Sequence, residues 1–96
     1  MTALAVAVPA KINLHLEILG RRPDGFHEVR TVLQSIDLWD RVSAEPAAAG
    51  TLELAVRPAG SVDTDGRNTV LRAAREVAAA AGRPVGARFR LVKGIP

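Results

Sequence analysis

Ile12, Leu14, Leu16 and Ile18 alternate with Asn13, His15 and Glu17. A period of two predicts a half-buried strand, because successive side chains point to opposite faces. Leu4–Val8 extends the expected strand towards the N-terminus. Pro9 marks a bend or an edge position, since proline cannot donate to a ladder. Pro23-Asp24-Gly25 predicts a turn: proline presets its own φ, and glycine accepts a positive one. Phe26–Leu38 reads as a second long strand, although both of its faces are mixed. Asp40 is expected to restart the chain into a strand over Arg41–Glu45. Pro46–Gly50 reads as a loop, and Leu52, Leu54 and Val56 alternate in a further strand.

The period then changes. Val70, Leu71, Ala74, Val77, Ala78 and Ala81 fall at helical spacing, with Arg72, Arg75 and Glu76 facing away. Asn68 stands where an N-cap belongs, Gly82 suits the C-terminal cap, and Pro84 blocks continuation. The spacing therefore predicts a helix over Thr69–Ala81. Ala87, Phe89 and Leu91 alternate with Arg88 and Arg90 in a last strand that runs to Lys93. This order predicts an α/β (α+β) domain: an antiparallel or mixed sheet with one clear helix on one face. One helix leaves part of an apolar sheet face short of cover, so further sequence is expected.

Composition narrows the class. Of 96 residues, 48% are hydrophobic and 24% charged, as in ordinary globular chains, which excludes a disordered or fibrous protein. There is no cysteine, so disulfides and thiolate metal sites are excluded. The arginines are scattered, whereas a nucleic-acid-binding tail would cluster them. Met1–Ala10 is apolar but lacks the basic start of a signal peptide. No stretch approaches the roughly 20 apolar residues of a membrane helix. A soluble cytoplasmic protein without nucleic-acid or membrane partners is expected; oligomeric state is not legible.

Three clusters could carry chemistry. In Pro9-Ala10-Lys11-Ile12-Asn13-Leu14, strict alternation puts Lys11, Asn13, His15 and Glu17 on one face. An ammonium beside an amide suits a phosphate or a polarised hydroxyl; a solvated strand face accounts for the pattern equally well. Asp24-Gly25-Phe26-His27 places an aromatic ring and an imidazole after a tight turn. They could stack on a planar base and bond its edge, or be a core ring and a surface histidine. Gly66-Arg67-Asn68-Thr69 opens a helix, where free amides favour polar or anionic ligands; a plain cap has the same sequence. Lys93 at a strand end is a weaker signal of the same kind. The two histidines have no metal-site spacing, so no metal ligand is assigned, and no glycine-rich phosphate loop occurs.

Pro-Ala-Lys-Ile-Asn-Leu, Gly20-Arg21-Arg22-Pro23-Asp24-Gly25-Phe26-His27, Asn68-Thr69-Val70-Leu71-Arg72-Ala73-Ala74 and Lys93-Gly94-Ile95-Pro96 together resemble the N-terminal part of a GHMP kinase. The branch is that acting on CDP-linked methylerythritol in isoprenoid precursor synthesis. Asp-Gly-Phe-His narrows the resemblance to that branch, whose usual residue at position 26 is tyrosine. The resemblance implies a partial N-terminal domain like the second domain of ribosomal protein S5, ending before the ATP loop and a C-terminal domain. It implies ATP and Mg2+ as cofactors and CDP-methylerythritol as the small-molecule partner. Lys11 would sit beside the reacting hydroxyl as the catalytic residue, and Asn13 would support the substrate. Phe26 would stack on the cytosine and His27 would bond it. Asn68 and Lys93 would approach the adenine or its ribose. Without the remaining parts, the 96 residues alone are expected to be inactive. Another GHMP small-molecule kinase, an S5-like nucleic-acid-binding module and a non-catalytic fragment are the alternatives.

Overall fold

The computed structural model describes residues 3–96. Strands β1 (Leu4–Arg21) and β2 (His27–Pro46) form one long antiparallel hairpin. They are followed by β3 (Leu52–Arg57), helix α1 (Thr69–Ala81) and β4 (Ala87–Val92). The sheet order is β1-β2-β4-β3, with β4 antiparallel to β2 and parallel to β3. A parallel pair needs a crossover, and α1 supplies it. The sheet is therefore mixed, with one helix, as the change of period predicts.

One boundary differs from the sequence reading. Pro9 does lie at an edge position, as expected: β1 is an edge strand that runs through it, with a register shift at Pro9/Ala10. Asp40 does not restart the chain, since β2 is continuous from His27 to Pro46. The pairing of β2 is irregular at the end of Phe26–Leu38. Pro9 opposes Trp39 while Ala10 opposes Ile36, so Asp37 and Leu38 are extra residues on β2.

The helix begins as its sequence dictates. Asn68 Oδ1 accepts from the Val70 amide at 2.8 Å, and Gly82 closes the C-terminus at φ 67°. Leu71, the buried residue of α1, lies with Val56 and Leu91 in the core. Val56 and Leu91 are register partners and therefore share a face. The same face continues through Val42, which opposes Leu91, to Val6, which opposes Val42. The helix packs over β3, so this apolar face is covered at one side only. Val6 stays 59% exposed, in keeping with the expected shortage of cover.

Two glycines make opposite demands. A Cβ on Gly86 would lie 1.9 Å from the Ala48 carbonyl oxygen, whereas one on Gly20 would meet nothing within 4 Å. Gly86 lets the Ala47–Gly50 turn close on the entry to β4, where Ala47 N donates to Gly86 O at 3.2 Å and Gly50 N to Val85 O at 3.1 Å. Gly86→Ala is expected to cost about 1–3 kcal/mol through forced backbone displacement. Gly20→Ala should be neutral or slightly stabilising. Urea unfolding midpoints of the two variants check the contrast; equal midpoints would remove the steric role given to Gly86.

Candidate active-site face

The pairing of β1 with β2 decides which polar side chains meet. Asn13 opposes Leu33, and the next pair is His15 with Val32, so Leu14 is an extra residue on β1. Register partners share a face and neighbouring strand residues do not. Asn13 and His15 therefore point to opposite faces. The expected single row of Lys11, Asn13, His15 and Glu17 is thus split by a bulge. His15 and Glu17 face Arg30, with His15 Nε2 and Arg30 Nη1 at 3.7 and 3.6 Å from Glu17 Oε2. These exposed pairs contribute little to stability.

Lys11 and Asn13 remain together on the other face. Lys11 Nζ donates to Asn13 Oδ1 at 3.1 Å, and Asn13 Nδ2 donates to Thr31 Oγ1 at 3.1 Å. Thr31 Oγ1 in turn donates to the His15 carbonyl at 2.7 Å. Among the described residues, Lys11 enters no ion pair, so its charge faces solvent and is open to a ligand. Sequence reasoning missed Thr31. No local pattern marks it, because only the register brings it beside Asn13.

Phe26 and His27 lie at the far tip of the hairpin. Asp24 Oδ1 accepts from Phe26 N at 3.0 Å, Gly25 takes φ 90°, and Arg22 is within 3.1 Å of Asp24 and 3.3 Å of Glu28. Phe26 precedes the strand, so strand alternation does not govern its ring, which is 72% exposed. From Lys11–Ser35 to Arg21–His27 the ladder advances eight pairs, at most about 26 Å along the strands. A ligand touching both groups has to be elongated.

Asn68 and Lys93 are each already engaged. Asn68 spends Oδ1 on the helix cap, and its Nδ2 donates to Asp63 O at 2.7 Å. Lys93 Nζ donates to Asp40 Oδ2 at 2.7 Å, and both side chains are partly buried. Asp40 Oδ1 also accepts from the Gly94 and Ile95 amides at 2.8 and 2.9 Å. A Cβ on Gly94 would lie 2.1 Å from Trp39 O, so glycine permits this close approach. Asp40 opposes Val8, three residues before Lys11 on β1. A hollow of about 500 Å³ opens here, with Trp39, Asp40, Lys93 and Gly94 in its wall. That volume is within the range of small-ligand sites.

Asp40, noted in the sequence only as a strand boundary, is the clasp of this corner. Burial alone would raise its carboxyl. The Lys93 hydrogen bond, the Ile95 and Gly94 amides and the Lys93 charge outweigh burial and hold it below its ordinary value. The described residues contain no group of three His, Cys, Asp or Glu side chains able to hold a metal ion. No helix of the described residues is long and apolar enough to cross a membrane.

The chain is similar over its whole length to known kinases. It is 51% identical over 96 residues to the 4-diphosphocytidyl-2-C-methyl-D-erythritol kinase of Pelotomaculum thermopropionicum, covering 32% of that protein. It is 46% identical over 91 residues to the enzyme of that name from Salinispora arenicola, covering 95% of this chain and 29% of that protein. A crystal structure of 4-(cytidine 5'-diphospho)-2C-methyl-D-erythritol kinase superposes with a TM-score of 0.72 at 39% identity. That match covers 97% of this chain and 32% of the solved one. No family model matches. The chain spans about a third of the length of the curated relatives it matches, and it is a homologue of the N-terminal part of these kinases.

The Asp40 clasp gives a pH prediction with a definite sign. A carboxyl held low in the folded state stabilises above its unfolded pKa, about 3.9, and loses that contribution as pH falls through the lower folded value. Protection of the Gly94 and Ile95 amides should therefore persist at neutral pH and fade only well into acid. In Asp40→Asn the protection should be weaker at neutral pH, and its acid transition should disappear. Hydrogen exchange followed by NMR checks this. A transition that survives in Asp40→Asn belongs to another group.

Proposed function

We propose that this chain supplies one part of an ATP-dependent kinase that phosphorylates the 2-hydroxyl of 4-diphosphocytidyl-2-C-methyl-D-erythritol. The observation that carries the reading is its similarity, over its whole length, to kinases named for that substrate. The site residues add a physical rationale. Phosphoryl transfer depends on positioning and charge stabilisation more than on covalent chemistry. Lys11 offers an ammonium with no acidic partner among the described residues, held to Asn13 at 3.1 Å. In the proposed role it polarises the accepting hydroxyl, and Asn13 orients that end of the substrate.

The cytosine end is assigned to Phe26 and His27. An exposed ring beside an imidazole suits a planar base, and phenylalanine keeps the stacking face without a tyrosine hydroxyl. The distance along the hairpin fits a long, two-ended substrate better than a compact alcohol. Lys93 is assigned to the nucleotide, beside the hollow at Trp39 and Gly94. Neutralised by Asp40, it suits a hydrogen bond to adenine or ribose better than it suits a phosphate charge. Asn68 is assigned to the same nucleotide; with its amide used at both ends, its direct contact would need the cap to open. Mg2+ is expected of such a kinase. The described residues offer no cluster for it, so no step is routed through it. A soluble, cytoplasmic protein without nucleic-acid partners completes the reading.

The test is a chimera in which this chain replaces the matching segment of the Pelotomaculum thermopropionicum relative. ADP release should depend on the CDP-linked substrate and not on mevalonate or amino alcohols. Lys11→Met should lower kcat by roughly a hundredfold or more, the scale of a lost charge-stabilising group. Phe26→Ala should chiefly raise KM for the CDP-linked substrate. A well-folded chimera without turnover, or one indifferent to Lys11→Met, would sink the proposal. RNA binding with steep salt dependence would favour a nucleic-acid module instead.

A further inference from the structure

The hydrogen-bond line on the Lys11 face has two ends with no freedom of direction. At one end is the His15 carbonyl, which only accepts. At the other is the Lys11 ammonium, which only donates. Thr31 has a single hydroxyl proton, and it points to His15 O at 2.7 Å. Thr31 Oγ1 must then receive its second bond, and Asn13 Nδ2 gives it at 3.1 Å. With its NH2 group committed to Thr31, Asn13 turns Oδ1 towards Lys11 Nζ, also at 3.1 Å. An asparagine amide is otherwise ambiguous by half a turn, because its oxygen and nitrogen are nearly alike in shape. Here both neighbours disfavour the flipped state: it would set NH2 against an ammonium and leave the hydroxyl oxygen to take its donor from water.

We infer that Thr31 is a positioning residue for the kinase site: through Asn13 it fixes the direction in which Lys11 presents its ammonium. The inference rests on the reading of Lys11 as the group beside the accepting hydroxyl. The register explains why Thr31 can do this. The bulge at Leu14 advances β1 by one residue, so Thr31 opposes Leu16 yet lies on the face of Asn13 and Leu33. One of the three Lys11 protons is taken by Asn13, and two remain for substrate oxygens in a set direction. Serine keeps every bond in the line. Valine keeps the shape and loses both bonds.

The sequence makes the test direct, because Asn13 and Asn68 are its only asparagines. Selective 15N-asparagine labelling of the chain therefore gives two side-chain amide pairs. Asn68, bonded to Asp63 O at 2.7 Å, reports whether the fold is intact. In Thr31→Val the Asn13 pair should shift and exchange faster while the Asn68 pair stays in place; Thr31→Ser should leave both pairs unmoved. In the chimera, Thr31→Val should lower kcat about tenfold with KM changed less than about twofold, the size of one lost orienting hydrogen bond. Thr31→Ser should restore most of the rate. If both pairs move together, the variant has unfolded, and Thr31→Ser against the native chain decides by kcat alone. The inference is overturned if Thr31→Val leaves kcat and the Asn13 pair unchanged, or if Thr31→Ser is as slow as Thr31→Val. If Lys11→Met is also without effect, the reading of the site fails; if Lys11→Met abolishes turnover, only the role of Thr31 falls.

Discussion

The antiparallel pairing of β1 with β2 is the constraint on which the rest depends. It joins residues 4–21 to residues 27–46, and each irregularity in it relocates side chains that alternation alone would place wrongly. A strand has a period of two, so a single extra residue exchanges the faces beyond it. At Leu14 this exchange keeps Lys11 and Asn13 on one face and sends His15 and Glu17 to the other. At Asp37 and Leu38 two extra residues let β2 run on without a break. Asp40 thereby comes level with Val8, where it can clasp the segment that follows β4. The two polar corners are thus consequences of one ladder and its bulges.

Much of the fold is legible in the sequence because it is governed locally. Asn68, Gly82 and the apolar spacing between them define α1 through caps and period, and the observed helix has those bounds. The strands of Leu52–Val56 and Ala87–Val92 are short and regular enough for alternation to reveal them. The hairpin is different. Its bulges depend on which residues oppose one another across the hairpin, Asn13 with Leu33 and His15 with Val32 for one of them, and no property of Leu14 alone marks it as extra. Thr31 and Asp40 went unassigned for the same reason: each acts only through a partner far away in sequence, His15 and Asn13 for one, Lys93 to Ile95 for the other. Lys11 and Asn13, two residues apart on one strand, were legible as a pair because their contact is local.

The distribution of burial follows from the same topology. The helix crosses between β3 and β4 and packs over β3, and among the described residues Leu71, Val56 and Leu91 form the buried core. The hairpin beyond β4 has only its own two strands. Leu14, Leu16, Ile18, Val29, Val32 and Leu33 stay at least half exposed. They gain little of the roughly 25 cal/mol per Å² that burial confers, and a two-stranded ribbon in water is marginal. Phe26 and His27 at the hairpin tip, the residues proposed to meet the base, therefore sit on the least supported part of the sheet. Their geometry is held mainly by turn bonds: the Asp24 carboxylate on the Phe26 amide and Arg22 between Asp24 and Glu28.

The two lysines show why a residue type does not fix a role. Lys93 has a carboxylate at 2.7 Å in a partly buried pair, so its charge is already answered and its ammonium acts as a directed donor. Lys11 has only the neutral Asn13 oxygen at 3.1 Å, and it stands exposed on an open face. Its charge remains unanswered until an anion or a polarised oxygen arrives. In the proposed reading, Lys11 is the one whose electrostatic interaction would grow as negative charge develops on a ligand, the kind of difference on which phosphoryl transfer relies. The environment therefore divides the work: a compensated lysine suits recognition, and an uncompensated one, aimed through a neutral amide, suits the reacting centre.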